Sequence, residues 1–233
     1  MLIGLDGDDT LWKNEDFFTG LQLDLQSFLG DIGCKLNVHD TLLAIETENV
    51  SLYGYGKKSF LLSIMEMVSH HIPAPEQPAV LSRVLTLGHQ FMRQSADMLP
   101  GVPEALEAMA EFGRLVIITK GDIAEQTQKI EDCGISLLVP DIEIVNHKDQ
   151  TTYERVISRH RHQPDEPFVM IGNSIKSDIL PVIALGHNAI HIPYHVTWAY
   201  ENEVSKNTDY IKTDSLINAV HYLEQISKTG SAK

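Results

Sequence analysis

The segment Asp6-Gly7-Asp8-Asp9-Thr10 places three carboxylates within four residues, directly after the apolar run Leu2-Ile3-Gly4-Leu5. Carboxylates this close either raise one another's pKa or demand a cation. An all-oxygen donor set without cysteine or clustered histidine suits a hard ion such as Mg2+. The same residues can instead form an acidic turn that caps a helix through Asp9 or Thr10. Taken alone, the segment is compatible with both.

The elements around it have two textures. From residue 15 to 97 the apolar residues fall at spacings of three and four, which places each set on one helix face. The stripes are Phe17, Leu21, Leu25, Phe28 and Leu29; Leu42, Leu43, Ile45 and Val50; Phe60, Leu61, Ile64, Met65 and Val68; and Val80, Leu81, Val84, Leu87 and Phe91. Four such stripes predict a small helical bundle. After Pro100, short apolar runs alternate with helical patterns. Leu115–Ile118, Ile142–Val145, Phe168–Ile171, Ala189–Ile192 and the weaker Tyr210–Lys212 read as strands. Helical patterns at Ile123–Cys133, Thr152–His160, Ile179–Leu185 and Leu216–Ile226 lie between and after them. This alternation predicts an α/β fold with a parallel sheet covered on both faces. Leu2–Leu5 shares the second texture. The chain therefore reads as a Rossmann-like α/β core of residues 1–14 and 98–233, interrupted by a helical domain at 15–97.

The further chemistry-bearing residues follow the predicted strands. Thr119 and Lys120 end the run Leu115–Ile118, and Lys148 follows Ile142–Val145. Gly172-Asn173-Ser174-Ile175-Lys176-Ser177-Asp178 follows Phe168–Ile171. In this order and spacing the chain resembles the haloacid dehalogenase superfamily of phosphohydrolases. Asp6, Asp8 and Thr10 match its first motif, Asp-x-Asp-x-Thr after an apolar strand. Thr119 matches the second motif, Lys148 the third, and the Gly172–Asp178 turn approximates the fourth. Asn173 departs from the aspartate that many members carry there.

The resemblance implies that Asp6 attacks phosphorus and that Asp8 protonates the leaving oxygen and then activates water. It further implies Mg2+ held by the Asp6 carboxylate, the Asp8 main-chain carbonyl and the Asp178 carboxylate, with uncharged Asn173 a weaker participant. Thr119 and Lys148 would hold phosphoryl oxygens, assisted by backbone N–H groups around Asp9, Thr10 and Lys120. The inserted helices would form a cap closing over the site. Tyr53-Gly54-Tyr55-Gly56-Lys57-Lys58 is either its substrate-facing loop or a solvated helix start. The presence of Asp8 favours phosphoryl transfer over carbon–halogen cleavage. A phosphomutase shares both aspartates, and a regulatory protein that lost catalysis could retain the fold.

Composition narrows the partners. With 18 basic and 32 acidic residues the net charge is −14, which disfavours nucleic acid or an anionic membrane surface. Cys34 and Cys133 are too few for a disulfide framework or a cysteine-built zinc site. No secretory leader or membrane-length apolar run is apparent, so a cytoplasmic enzyme acting on a small phosphorylated metabolite is expected. The charge poses a question, since an acidic protein should repel an acidic substrate.

Overall fold

The computed structural model describes residues 1–201 and 210–230, the last three of these for their backbone only. The chain divides into two compact units, Met1–Lys13 with Ala96–Lys233, and Asn14–Ser95.

The first unit is a six-stranded parallel sheet. Its strands are β1 (Leu2–Leu5), β2 (Arg114–Lys120), β3 (Ile142–Val145), β4 (Phe168–Gly172), β5 (Asn188–His191) and β6 (Ile211–Lys212). They are ordered β3-β2-β1-β4-β5-β6, each pair parallel. Successive side chains of a strand point to opposite faces, so an all-apolar strand fills two cores. Ile3, Leu5, Ile117, Val169, Ile171 and Ile190 face one core with helices α5 (Val102–Ala110), α6 (Ile123–Cys133) and α9 (Leu216–Gly230). Leu2, Val116, Ile118, Phe168 and Met170 face the other, with α7 (Gln150–His160) and α8 (Leu180–Ala184).

The sequence reading gives the strands nearly to the residue. It misses α5, although Val102, Ala105, Leu106 and Met109 form its buried stripe and it carries a proline in its first turn. The helix it expects at Ile179–Leu185 is α8 to within one residue at each end. In the structure a π-helical turn at Ile175–Ile179 precedes the short α8.

The second unit consists of α1 (Glu15–Asp31), α2 (Val38–Tyr53), α3 (Lys57–His71) and α4 (Gln77–Met92). Its core is formed by Leu21, Leu25, Leu29, Leu42, Phe60, Ile64, Val68, Val80, Val84, Leu87 and Phe91. Phe18 meets Phe60 and Phe91 edge-on, with ring centroids 5.0 and 4.9 Å apart. On α3, Met67 is buried and Met65 is 44% exposed, so Met65 leaves the expected stripe. The face repeats as Phe60, Ile64, Met67 and Val68.

Candidate active site

The strand order reverses direction beside β1, and ligands of open parallel sheets bind outside the carboxyl ends of strands at such a point. Asp6 leaves β1 there, Thr119 and Lys120 end β2, Lys148 follows β3 and Asn173 follows β4.

The Asp6–Trp12 segment folds into a compact turn. The N–H groups of Thr10, Leu11 and Trp12 converge on the Gly7 carbonyl at 3.2, 2.8 and 3.3 Å. Asp9 is the one non-glycine with positive φ (59°) among the described residues, and its N–H donates to the Trp12 carbonyl at 2.7 Å. The backbone donors of Asp9 and Thr10 are thus engaged inside the turn. Side chains return to the acids: the Thr10 hydroxyl donates to Asp6 Oδ2 at 3.1 Å, and Trp12 Nε1 donates to Asp8 Oδ1 at 2.6 Å.

Lys148 joins Asp6 to Asp178. Its ammonium donates to Asp6 Oδ1 and, at 2.6 Å, to Asp178 Oδ1, with all three side chains buried. Burial and then the neighbouring Asp178 carboxylate push Asp6 up to about 7, against the pull of Lys148. The two carboxylates hold the Lys148 proton more tightly than usual, outweighing burial, which acts in the other direction. Asp178 is fixed from beneath. Its Oδ2 accepts from Ser174 N–H at 2.9 Å, and the buried Tyr153 hydroxyl donates to the adjoining Ser177 carbonyl at 3.0 Å. A Cβ at Gly172 would lie 2.3 Å from Asp178 Oδ2, so this position requires bare backbone. Asn173 lends its carbonyl to His191 Nε2 at 2.9 Å.

Asp8 is held apart from this trio. Its Oδ1 accepts from Lys129 Nζ at 2.9 Å as well as from Trp12, and its Oδ2 accepts from Gln126 Nε2 at 2.9 Å. Although burial favours the neutral acid, Lys129 and these hydrogen bonds keep Asp8 below the usual carboxylate range. Lys120 Nζ reaches Ser177 Oγ at 3.0 Å and Glu201 Oε1 at 2.6 Å, while Glu201 Oε2 accepts from the Ser174 and Ser177 hydroxyls at 2.6 and 2.5 Å.

The structure therefore brings Asp6, Asp8, Thr10, Thr119, Lys120, Lys148 and Asp178 to one edge of the sheet. It adds Gln126, Lys129 and Glu201, which sequence reasoning missed. One signal was available for the first two: α6 buries Gln126, Lys129 and Ile130, so polar side chains occupy its inward stripe. Lys57 is part of the helical unit. Within the helical unit its ammonium donates to the Gln94 carbonyl at 3.0 Å and lies over the Phe17 and Phe91 rings at 5.9 and 5.4 Å.

Among the described residues, no group of three or more His, Cys, Asp or Glu side chains is gathered to hold a metal. The available donors are two carboxylates, from Asp6 and Asp178, together with main-chain and amide oxygens. That set suits Mg2+, which keeps several waters and takes one or two carboxylates plus substrate phosphate oxygens. Two buried carboxylates sharing one ammonium also leave a net negative charge for a cation to offset. Among the described residues, no helix is long and apolar enough to cross a membrane.

No family model and no curated protein matches the chain. Solved structures do. A haloacid dehalogenase-like family hydrolase from Xanthomonas campestris is 35% identical over 98% of this chain and 94% of its own, with a TM-score of 0.80. A Bacillus subtilis protein assigned as a HAD hydrolase and bound to magnesium shares the fold at 14% identity, covering 95% of this chain and 97% of its own, with a TM-score of 0.63. A Thermotoga maritima protein assigned as a beta-phosphoglucomutase does so at 15% identity, covering 97% and 99%, with a TM-score of 0.61.

Proposed function

The chain belongs to the haloacid dehalogenase-like hydrolases, and on that premise we propose that it is a Mg2+-dependent phosphomonoesterase acting through an aspartyl-phosphate. The observation that carries this reading is the separate anchoring of two carboxylates two residues apart. Asp6 is buried against Lys148 and Asp178, whereas Asp8 is held separately by Lys129, Gln126 and Trp12. Nucleophilic and acid–base roles require such separate environments.

In this scheme an Asp6 oxygen forms a bond to phosphorus as the bond from phosphorus to the ester oxygen breaks. Asp8, entering this half protonated, gives that oxygen its proton and is left as the carboxylate. In the second half Asp8 takes a proton from water, the water oxygen bonds to phosphorus, and Asp6 is regenerated as phosphate leaves. Lys129 keeps Asp8 in the carboxylate form that this second half needs. The Thr119 hydroxyl and the Lys148 ammonium are the groups assigned to the phosphoryl oxygens. Mg2+ would be held by the Asp6 and Asp178 carboxylates and the Asp8 carbonyl, with the Asn173 amide oxygen a weaker donor. When bound it offsets the negative charge of those carboxylates and of the transferring group.

The expected substrate is a small phosphorylated metabolite, and the expected compartment is the cytoplasm. The test is hydrolysis of p-nitrophenyl phosphate. EDTA should abolish it and Mg2+ restore it, and Asp6→Asn should lose it while keeping the wild-type circular dichroism. Full activity in folded Asp6→Asn would overturn the reading. Formation of an isomeric sugar phosphate in place of free phosphate would redirect it to a phosphomutase.

A further inference from the structure

Gln126 is 2% exposed and faces the site from α6, and its amide touches both halves of the machinery. Its nitrogen donates to Asp8 Oδ2 at 2.9 Å and to the Lys120 carbonyl at 3.3 Å. Its oxygen accepts from the Thr119 hydroxyl at 3.3 Å. A carboxylate can only accept, so Asp8 fixes which way the amide points: nitrogen toward Asp8, oxygen toward Thr119. The loop is shaped for this contact. Gly121 has φ of +157°, and a Cβ there would lie 2.7 Å from Gln126 Nε2.

We propose that Gln126 is a positioning residue that ties Asp8 to the phosphoryl site at Thr119 and holds Asp8 Oδ2 in place for proton transfer to the leaving oxygen. The inference rests on the phosphomonoesterase reading and names a residue that reading does not require. Thr119 has one hydroxyl proton, which it gives either to Gln126 or to a phosphoryl oxygen. When substrate takes it, the Gln126 nitrogen still donates to Asp8 Oδ2 and to the Lys120 carbonyl, so the amide keeps Asp8 in place while phosphate occupies Thr119. Oδ1 stays anchored by Lys129 and Trp12. With both oxygens located, Asp8, entering this half protonated on Oδ2, gives that proton to the leaving oxygen as it departs.

The consequence falls on esters that need a proton. p-Nitrophenolate departs readily without one, whereas an alkoxide such as that from glycerol phosphate does not. Gln126→Leu removes both contacts, and Gln126→Glu keeps the shape but turns an acceptor toward Asp8. Each is expected to lower kcat for glycerol phosphate about ten-fold more than kcat for p-nitrophenyl phosphate, with KM values within about three-fold of wild type. Equal losses on both esters, or a rise in KM alone, would overturn the positioning role. If Gln126→Leu does not fold, the near-isosteric Gln126→Glu decides. A wild-type enzyme that hydrolyses neither ester refutes the phosphomonoesterase reading, whereas one that hydrolyses both while the variants show no bias refutes only the role of Gln126.

Discussion

At the residue scale, the site is a problem of negative charge held in little water. Asp6 and Asp178 are buried with one ammonium between them. Removing one partner of a buried charged group leaves the others unpaired, which costs about 3–5 kcal/mol. Lys148→Met is therefore expected to lower the melting temperature sharply in EDTA, and Mg2+ to return part of that loss because a cation then offsets the same carboxylates. Thermal melts with and without Mg2+ check this; equal losses in both would argue that no cation shares the site. Asp6→Asn should keep its fold and lose turnover roughly a thousand-fold or more. Among individual residues, Asp6 and Asp8 were legible in the sequence because they fall, with Thr10, within one five-residue segment. Gln126 and Lys129 were not: they lie 118 and 121 residues from Asp8 and meet it only through tertiary packing.

At the scale of elements, periodicity carries most of the information. The all-apolar runs Leu2–Leu5 and Leu115–Ile118 read as strands because they fill cores on both faces of a parallel sheet. In the structure α6 is bounded by its caps, where Asp122 accepts from Glu125 N–H and Gly134 takes a left-handed conformation just past the last turn. What stayed hidden has a physical reason in each case. Nine-residue α5 is short, with the small Ala105 in its stripe, so its pattern is weak beside the strand that follows. The π-helical turn at Ile175–Ile179 follows no helical period that an α pattern detects, yet it positions Asp178. In the helical unit, the aromatic contacts of Phe91 with Phe18 and Phe60 tie α4 to α1 and α3. Phe91→Ala should cost about 3–5 kcal/mol. Chemical denaturation monitored by helical circular dichroism measures this, and a change below about 1 kcal/mol would show that the trio does not hold the unit together.

At the scale of the whole molecule, the net charge of −14 no longer conflicts with an anionic substrate. Lys120, Lys129 and Lys148 gather at the one sheet edge where the phosphoryl group is proposed to bind, but each is already paired with carboxylates there, so the offset for an anionic substrate falls to the proposed Mg2+. The chain is also closed on itself electrostatically at its start. Glu166 takes Arg114 at 2.9 Å and the Met1 ammonium at 3.9 Å, joining the β1 and β2 starts to the loop before β4. The His162 N–H hydrogen bond and these cations hold Glu166 below its ordinary value of 4.5, although burial acts in the opposite direction. A depressed carboxylate stabilises the fold fully above its unfolded value and loses that contribution as pH falls through its folded one. Glu166→Gln is thus expected to cost about 1 kcal/mol at neutral pH, shrinking below pH 4.5 as the wild type becomes protonated. Urea melts across that range check the sign; a deficit that grew on acidification would contradict it.

The covalent role of Asp6 is open to direct observation. Asp8→Asn should still accept a phosphoryl group from p-nitrophenyl phosphate in the presence of Mg2+, because that leaving group needs no acid, but it should lack the base that activates water. Peptide mass mapping of this variant after rapid acid quench should find the mass of one phosphoryl group on the peptide containing Asp6. Turnover by the variant with no phosphorylated peptide, or with the phosphoryl group on another residue, would contradict nucleophilic attack by Asp6.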